Sequence, residues 1–200
     1  MTGITFIKVN FLSLILKMVK NFVEEKIEIP DNVDLTIDND LVKVKGPKGE
    51  NQRKFKIPLV KLQKTDNFLV LKTSRNTKKE KRMLYTTRSH IKNLIDGAIN
   101  EYVYTLKILS SHFPMTVSIS NNELIIKNFL GEKIPRRAQI LTGINVDIAG
   151  DIVTVSGTNL ESAGQTASNI EQACRITNKD RRVFMDGIWL TSKAKDKAKK

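Results

Sequence analysis

The chain has little of what catalysis, metal binding or disulfide architecture requires. Its 200 residues include one cysteine and two histidines. Cys174 alone cannot close an internal disulfide, so a reducing compartment is the natural setting. It shares a small-residue face with Ala163, Ala167 and Ile170, the pattern of a buried structural thiol rather than a nucleophile. His90 and His112, with one distant cysteine, cannot assemble a metal cluster. Asp38-Asn39-Asp40 begins like a calcium loop but lacks the loop glycine and the closing glutamate. No G-x-x-x-x-G-K-[ST] phosphate loop exists, and Gly150 and Gly157 fall at strand ends as turn residues. Aromatics make up 6% of the chain and few accompany the arginine pairs, so stacking on single-stranded bases is not indicated. The expectation is a binding protein: no enzyme, no cofactor, no metal and no small-molecule substrate.

A long hydrophobic run is also missing. Residues 4–16 (ITFIKVNFLSLIL) are apolar-rich, but Lys8 and Asn10 interrupt them and they are too short for a spanning helix. Lys17 and Lys20 follow where a signal peptide would have a small-x-small cleavage site. Met18 opens a more ordinary start, MVKNFVEEKIEIP. Residues 1–17 are therefore expected to be an N-terminal extension, with a targeting sequence as the competing reading. A basic protein tethered to a membrane by residues 4–16 is a weaker alternative, and no membrane partner is expected.

What the chain has in excess is positive charge in one place. Residues 43–92 hold sixteen Lys or Arg against three acids, Glu50, Asp66 and Glu80. That net +13 equals the formal charge of the whole protein, so the other 150 residues balance to zero. Like charges repel and destabilise a compact state. Either the run is a solvated face or it meets an anionic partner, and nucleic acid is the commonest such partner.

The chain also matches itself at an offset near 82. Leu35-Thr-Ile37-Asp-Asn39 aligns with Val117-Ser-Ile119-Ser-Asn121, and Gly49-Glu50 with Gly131-Glu132. Thr77-Lys-Lys-Glu80 aligns with Thr158-Asn-Leu-Glu161 after one deletion, and Tyr102, Leu106 and Ile108 align with Phe184, Ile188 and Leu190. Each copy begins with a hairpin, Val33–Ile37 with Leu41–Lys45 and Thr116–Ser120 with Leu124–Lys127. Further strand is expected at Phe68–Thr73 and Ile152–Ser156, rich in β-branched and aromatic residues. A helix follows, announced by a Thr-x-x-Glu capping box at Thr77 and again at Thr158. Leu84, Ile91, Leu94, Ile95 and Ala98 keep a helical period in the first; Ala163, Ala167, Ile170 and Ala173 do so in the second. Each copy then closes on an alternating strand, Tyr102–Leu109 or Val183–Leu190. The expected fold is α+β, two tandem similar domains, each a mainly antiparallel sheet with one helix on one face. The expected divisions are 1–17 extension, 18–109 first repeat, 110–192 second repeat and 193–200 flexible basic tail.

Three groups of basic residues carry candidate binding chemistry. Arg75, Lys78 and Lys79 surround the first turn of the first helix, where free N–H groups favour phosphate. Lys179-Asp-Arg181-Arg182 lies between the second helix and the final strand, and Arg136-Arg137 in another loop of the same copy. The guanidinium fork engages phosphate oxygens bidentately. Structured RNA, recognised by shape and backbone, fits this footprint.

His112-Phe113-Pro114, Asn128-Phe129-Leu130-Gly131-Glu132-Lys133 and the run from Asn178 through Asp180-Arg181 to Phe184-Met-Asp186-Gly187-Ile188-Trp189 carry a resemblance. Val44-Lys-Gly46-Pro47-Lys-Gly49 and Ser89-His90-Ile91-Lys-Asn93 add to it. From about Met18 to Lys193 the chain resembles the large-subunit ribosomal protein family called L-six in bacteria and L-nine in eukaryotes, in its eukaryotic or archaeal form. It departs at Met1–Lys17 and at Trp189, where tyrosine is commoner. The resemblance implies a structural constituent of the large subunit, near the sarcin–ricin loop and the base of the factor-binding stalk. It implies large-subunit rRNA, neighbouring ribosomal proteins including the stalk base, and nearby translation factors as partners. It places the protein in cytoplasmic ribosomes, with nucleolar assembly in a eukaryote. Carried over by position, rRNA contacts include Lys179, Arg181, Arg182, Arg136 and Arg137, with the tail from Lys193 as a further anchor. The alternative is a free structured-RNA-binding module outside the ribosome.

Overall fold

The computed structural model describes residues 23–38, 40–56, 58–65, 67–111, 113–180 and 182–194. The expected extension 1–17, the tail beyond residue 194, His112 and Arg181 lie outside the described residues. Among the described residues thirteen strands and two α-helices follow one another in an α+β order. The strands are β1 Glu24–Glu28, β2 Asp34–Asp38, β3 Leu41–Gly46, β4 Gly49–Lys54, β5 Val60–Thr65 and β6 Phe68–Thr73. They continue with β7 Tyr102–Leu109, β8 Thr116–Ser120, β9 Glu123–Lys127, β10 Arg136–Gln139, β11 Ile144–Ala149, β12 Ile152–Gly157 and β13 Gly187–Ser192. Helix α1 is Lys78–Ile99 and helix α2 is Leu160–Ala173. The sheets have the orders β1-β6-β5, β2-β3-β4, β10-β9-β8 and β11-β12-β7-β13. Two compact units divide the chain: residues 1–43 with 52–92, and residues 44–51 with 93–200.

In the first unit the sheet β1-β6-β5 buries Ile27, Val60, Leu69, Val70 and Leu71. Helix α1 starts on the expected capping box. The Glu80 N–H donates to Thr77 Oγ1 at 3.3 Å, and the Thr77 N–H donates to Glu80 Oε2 at 3.3 Å. Within α1, Glu80, Leu84, Thr87, Ile91, Leu94, Ile95 and Ala98 are buried. Their spacing of three or four residues is the apolar stripe read from sequence.

In the second unit one core joins the helix to both of its larger sheets. Leu106, Val153 and Val155 from β7 and β12 meet Leu124, Ile126 and Ala138 from β9 and β10, with Ala163, Ala167 and Ile170 of α2 among them. Small residues on that helix face let it lie close to strands. Cys174 is buried in the same core, and burial pushes its thiol up to about 11.

The repeat is real, but its phase differs from the expected one. In β1, Glu24 sits opposite Lys72 of β6; in β7, Leu106 sits opposite Val153 of β12. The first partner has moved by 82 residues and the second by 81, the same one-residue deletion seen in the sequence. Tyr102–Leu109, expected to close the first copy, is therefore the counterpart of β1 and opens the second. It is the inner strand between β12 and β13. The resemblance of β7 to β13 reflects two neighbours in one sheet, paired from Gly187 opposite Leu109 to Leu190 opposite Leu106.

The second capping box is also replaced. Asn159 caps α2, its Oδ1 accepting from the N–H groups of Glu161 at 3.0 Å and Ser162 at 3.4 Å. Thr158 is used elsewhere: its Oγ1 donates to Asn51 Oδ1 at 3.1 Å, and Asn51 Nδ2 donates to Thr158 O at 3.0 Å. Beside this exchange the Lys48 N–H donates to Ala98 O at 3.1 Å. A Cβ on Gly46 would lie 2.5 Å from Ala98 O, and one on Gly97 would collide with Thr158 O. Those two positions need glycine because backbone meets backbone there. Among the described residues no buried side-chain N or O lacks a hydrogen-bond partner.

Gly97→Ala is expected to destabilise the protein by about 1–3 kcal/mol even though alanine is the better helix former. Urea unfolding of the two proteins measures this; an unchanged or raised midpoint would show that the close approach relaxes freely.

Candidate nucleic-acid interface

The Arg136-Arg137 pair lies in β10, not in a loop as the sequence indicated. The strand escapes an apolar pattern because only Ala138 of its four residues is buried, while its backbone pairs with β9, Arg136 opposite Ile126. Alternation sends the two arginines to opposite faces, and their surroundings differ accordingly. Arg137 is exposed and reaches Glu123 Oε2 at 3.5 Å, a loose pair of small energetic weight.

Arg136 is engaged on every side. Its Nε donates to Glu132 Oε2 at 2.8 Å and its Nη2 to Glu132 Oε1 at 2.6 Å. Its Nη1 donates to Ala173 O at 3.0 Å and Arg175 O at 2.9 Å. The guanidinium carbon stands 4.3 Å from the centre of the buried Phe129 ring. Ala173 is the last residue of α2, so a cation sits on carbonyls that the helix leaves unpaired. The Arg136 side chain holds Glu132 below the usual carboxylate range, with burial opposing, and Glu132 in turn raises Arg136.

This brace ties together two stretches of irregular backbone. One is the 3-10 turn Phe129–Gly131, flanked and filled by left-handed residues: Asn128 at φ 58°, Leu130 at 51° and Gly131 at 79°. The other is the run leaving α2. Asn178 is left-handed at φ 58°. Asp180 then organises a turn: its Oδ1 accepts the Arg182 N–H at 2.9 Å, and its carbonyl accepts the N–H groups of Val183 at 3.1 Å and Phe184 at 2.9 Å. That turn delays the last strand, expected from Val183, until Gly187. Buried Asp186 secures the far side by accepting the Ser111 N–H and, at 3.2 Å, the Ser111 hydroxyl.

Lys179 is exposed with its Nζ 4.6 Å from the Phe184 ring centre, and its charge reaches Glu132. Arg182 is exposed. Two further exposed cations escaped the sequence reading. Lys133 follows Glu132, and Arg175 is the residue whose carbonyl receives Arg136. Their signal was adjacency to the two motifs, which matters only once the brace brings those motifs together. Lys193 is exposed just past β13.

Arg75, Lys78 and Lys79 belong to the first unit and are exposed around the start of α1. Beside the anion site expected there the chain places a carboxylate of its own. Glu80 is buried, and its carboxylate accepts the Thr77 N–H and, at 3.0 Å, the Thr77 hydroxyl. It offsets the positive end of the helix dipole from within. The three cations therefore stand as surface charges rather than as the rim of an open N–H cradle. Among the described residues no group of three or more His, Cys, Asp or Glu could hold a metal ion, and no helix is long and apolar enough to cross a membrane.

Arg136→Ala removes four hydrogen bonds and a ring contact and is expected to cost about 2–4 kcal/mol, whereas Arg137→Ala should stay within about 0.5 kcal/mol. The acid limb follows from the depressed Glu132 carboxyl: its stabilising contribution is present above the ordinary glutamate range and is lost as pH falls through the lowered folded value. Denaturant midpoints for both variants from pH 7 to pH 3 check this. Equal losses, or an Arg136→Ala difference that does not shrink in acid, would contradict the assignment.

The model of the family Ribosomal protein L6 matches residues 29–99 and 113–187. The chain is 47% identical over 171 residues to the Large ribosomal subunit protein uL6 of Methanobrevibacter smithii, covering 86% of this chain and 96% of that one. The protein of the same name from Sulfurisphaera tokodaii is 44% identical over 170 residues, covering 84% and 91%. That from Nanoarchaeum equitans is 45% identical over 180 residues, covering 86% and 94%.

Proposed function

We propose that this chain, which belongs to the ribosomal protein L6 family and is a structural constituent of the large ribosomal subunit rather than an enzyme, docks on large-subunit rRNA mainly through the braced surface of its second unit. The observation that carries this reading is the contrast between Arg136 and its neighbours. One arginine is spent on holding two turns together, and four described cations of those two stretches and their flanks, Lys133, Arg175, Lys179 and Arg182, are left exposed, with Arg137 exposed on the other face of β10. Arg181 belongs to the same run by sequence. A cation fixed before RNA arrives loses less freedom on binding. Phosphate and sugar contacts of this kind fix position on the RNA rather than read its bases.

In this reading Arg136 positions the surface and does not itself touch phosphate, while Lys193 leads the basic tail toward a further anchor point. The family resemblance supports a place near the sarcin–ricin loop and the base of the factor-binding stalk, beside neighbouring ribosomal proteins and passing translation factors. Ribosomal membership also argues against a free RNA-binding module as the main role.

Arg181→Glu with Arg182→Glu is expected to weaken binding to large-subunit rRNA more than Lys78→Glu with Lys79→Glu, after both proteins are shown to fold. Its salt dependence should flatten by about one unit of slope for each phosphate that is no longer neutralised. A larger loss of affinity in the lysine variant would make the first unit the principal rRNA surface.

A further inference from the structure

Helix α1 has a second face that neither the fold nor the proposed docking surface uses. From Lys78 to Lys92 its buried residues are Glu80, Leu84, Thr87 and Ile91. On the opposite side Lys78, Arg82, Tyr85, Ser89 and Lys92 recur every three or four residues and are all exposed, Tyr85 at 45%. At 100° per residue they fall on one narrow stripe, and at 1.5 Å per residue it runs about 21 Å. Lys81 and Arg88 flank it, and Arg88 is already drawn toward Glu25 at 3.5 Å. Among the described residues Lys78, Arg82 and Lys92 have no ion-pair partner. The only acid between residues 78 and 92 is Glu80, which is buried on the other side; the next, Asp96, lies outside this unit.

We propose that this stripe is a second, independent nucleic-acid surface, fitted to the backbone of an RNA duplex. Each of its side chains belongs to the set that contacts phosphate and sugar: lysine, arginine, a tyrosine hydroxyl and a serine hydroxyl. None can read a protein partner well, because protein interfaces are depleted in lysine and need a buried apolar or aromatic centre, and here one half-exposed tyrosine stands between cations. A straight helical row of charges follows a regular line of phosphates, as duplex RNA presents. The two hydroxyls, in the middle of the row, supply the donors and acceptors that a 2′-OH group takes. The surface goes beyond the second-unit docking reading and does not depend on it.

The test uses the full chain carrying Lys78→Gln, Arg82→Gln and Lys92→Gln, bound to a 20-base-pair RNA duplex of arbitrary sequence across a salt series. The control carries Lys54→Gln, Lys56→Gln and Lys61→Gln, three exposed cations of the same unit, so that net charge is equal. The stripe variant should flatten the salt dependence by about two to three units of slope, and the control by less than one. Tyr85→Phe should weaken duplex RNA severalfold while leaving a DNA duplex unaffected and the slope unchanged. Equal flattening in both triple variants, or a stripe variant that loses single-stranded RNA more than duplex, would overturn the proposal. Because the loop Asn178–Arg182 is intact in all these proteins, a failure here leaves the second-unit reading standing, and a failure of that reading leaves this one.

Discussion

A single guanidinium group, that of Arg136, holds two irregular stretches of the second unit together. It satisfies both carboxylate oxygens of Glu132, two carbonyls at the end of α2 and one face of Phe129. The partners belong to two separate pieces of chain, Phe129–Glu132 and Ala173–Arg175. Without it the 3-10 turn, with two non-glycine residues at positive φ, would have little to balance its strain. The helix end would leave carbonyls unpaired, and the run from Cys174 to Phe184 would lose one of its fixed points. Lysine could supply the charge but not the fork.

The same chain shows how a strongly cationic protein keeps a compact fold. Several of its acids organise structure, while others, such as Glu25 and Glu123, pair with exposed arginines. Glu132 serves Arg136, Asp180 builds the turn under Arg182, buried Glu80 closes the start of α1 and buried Asp186 secures Ser111. Each works through hydrogen bonds at short range, where a carboxylate is strongest. The cations are left outward, repelling one another, and that repulsion is relieved when polyanion binds.

Much of the fold could be read in the sequence because local chemistry agreed with tertiary demand. The Thr77–Glu80 box, the α1 stripe and Phe68–Thr73 each formed as their patterns required. The repeat was legible, yet its phase was not, since alternation in Tyr102–Leu109 looks the same whether a strand opens one copy or closes another. Only pairing on both sides identifies it. Gly49–Lys54 and Arg136–Gln139 were invisible as strands because only one residue in each is buried. Thr158 was misread because Asn51, 107 residues earlier, claims its hydroxyl. The basic residues stand out in the sequence as a set, but which of them are engaged within the fold and which are exposed does not. Nothing in the dipeptide Arg136-Arg137 distinguishes the arginine that braces from the one that stays exposed.

The most direct measurement of that division is the affinity of Glu132→Gln for large-subunit rRNA at fixed salt. The substitution removes one negative charge from beside a cationic surface, so simple electrostatics requires tighter binding. If the carboxylate acts by holding Arg136, and through it Lys133, Lys179 and Arg182, binding weakens instead, with the salt slope nearly unchanged. Tighter binding by the variant would mean that Arg136 is a phosphate contact held back by its neighbour, and the braced-surface account would be wrong.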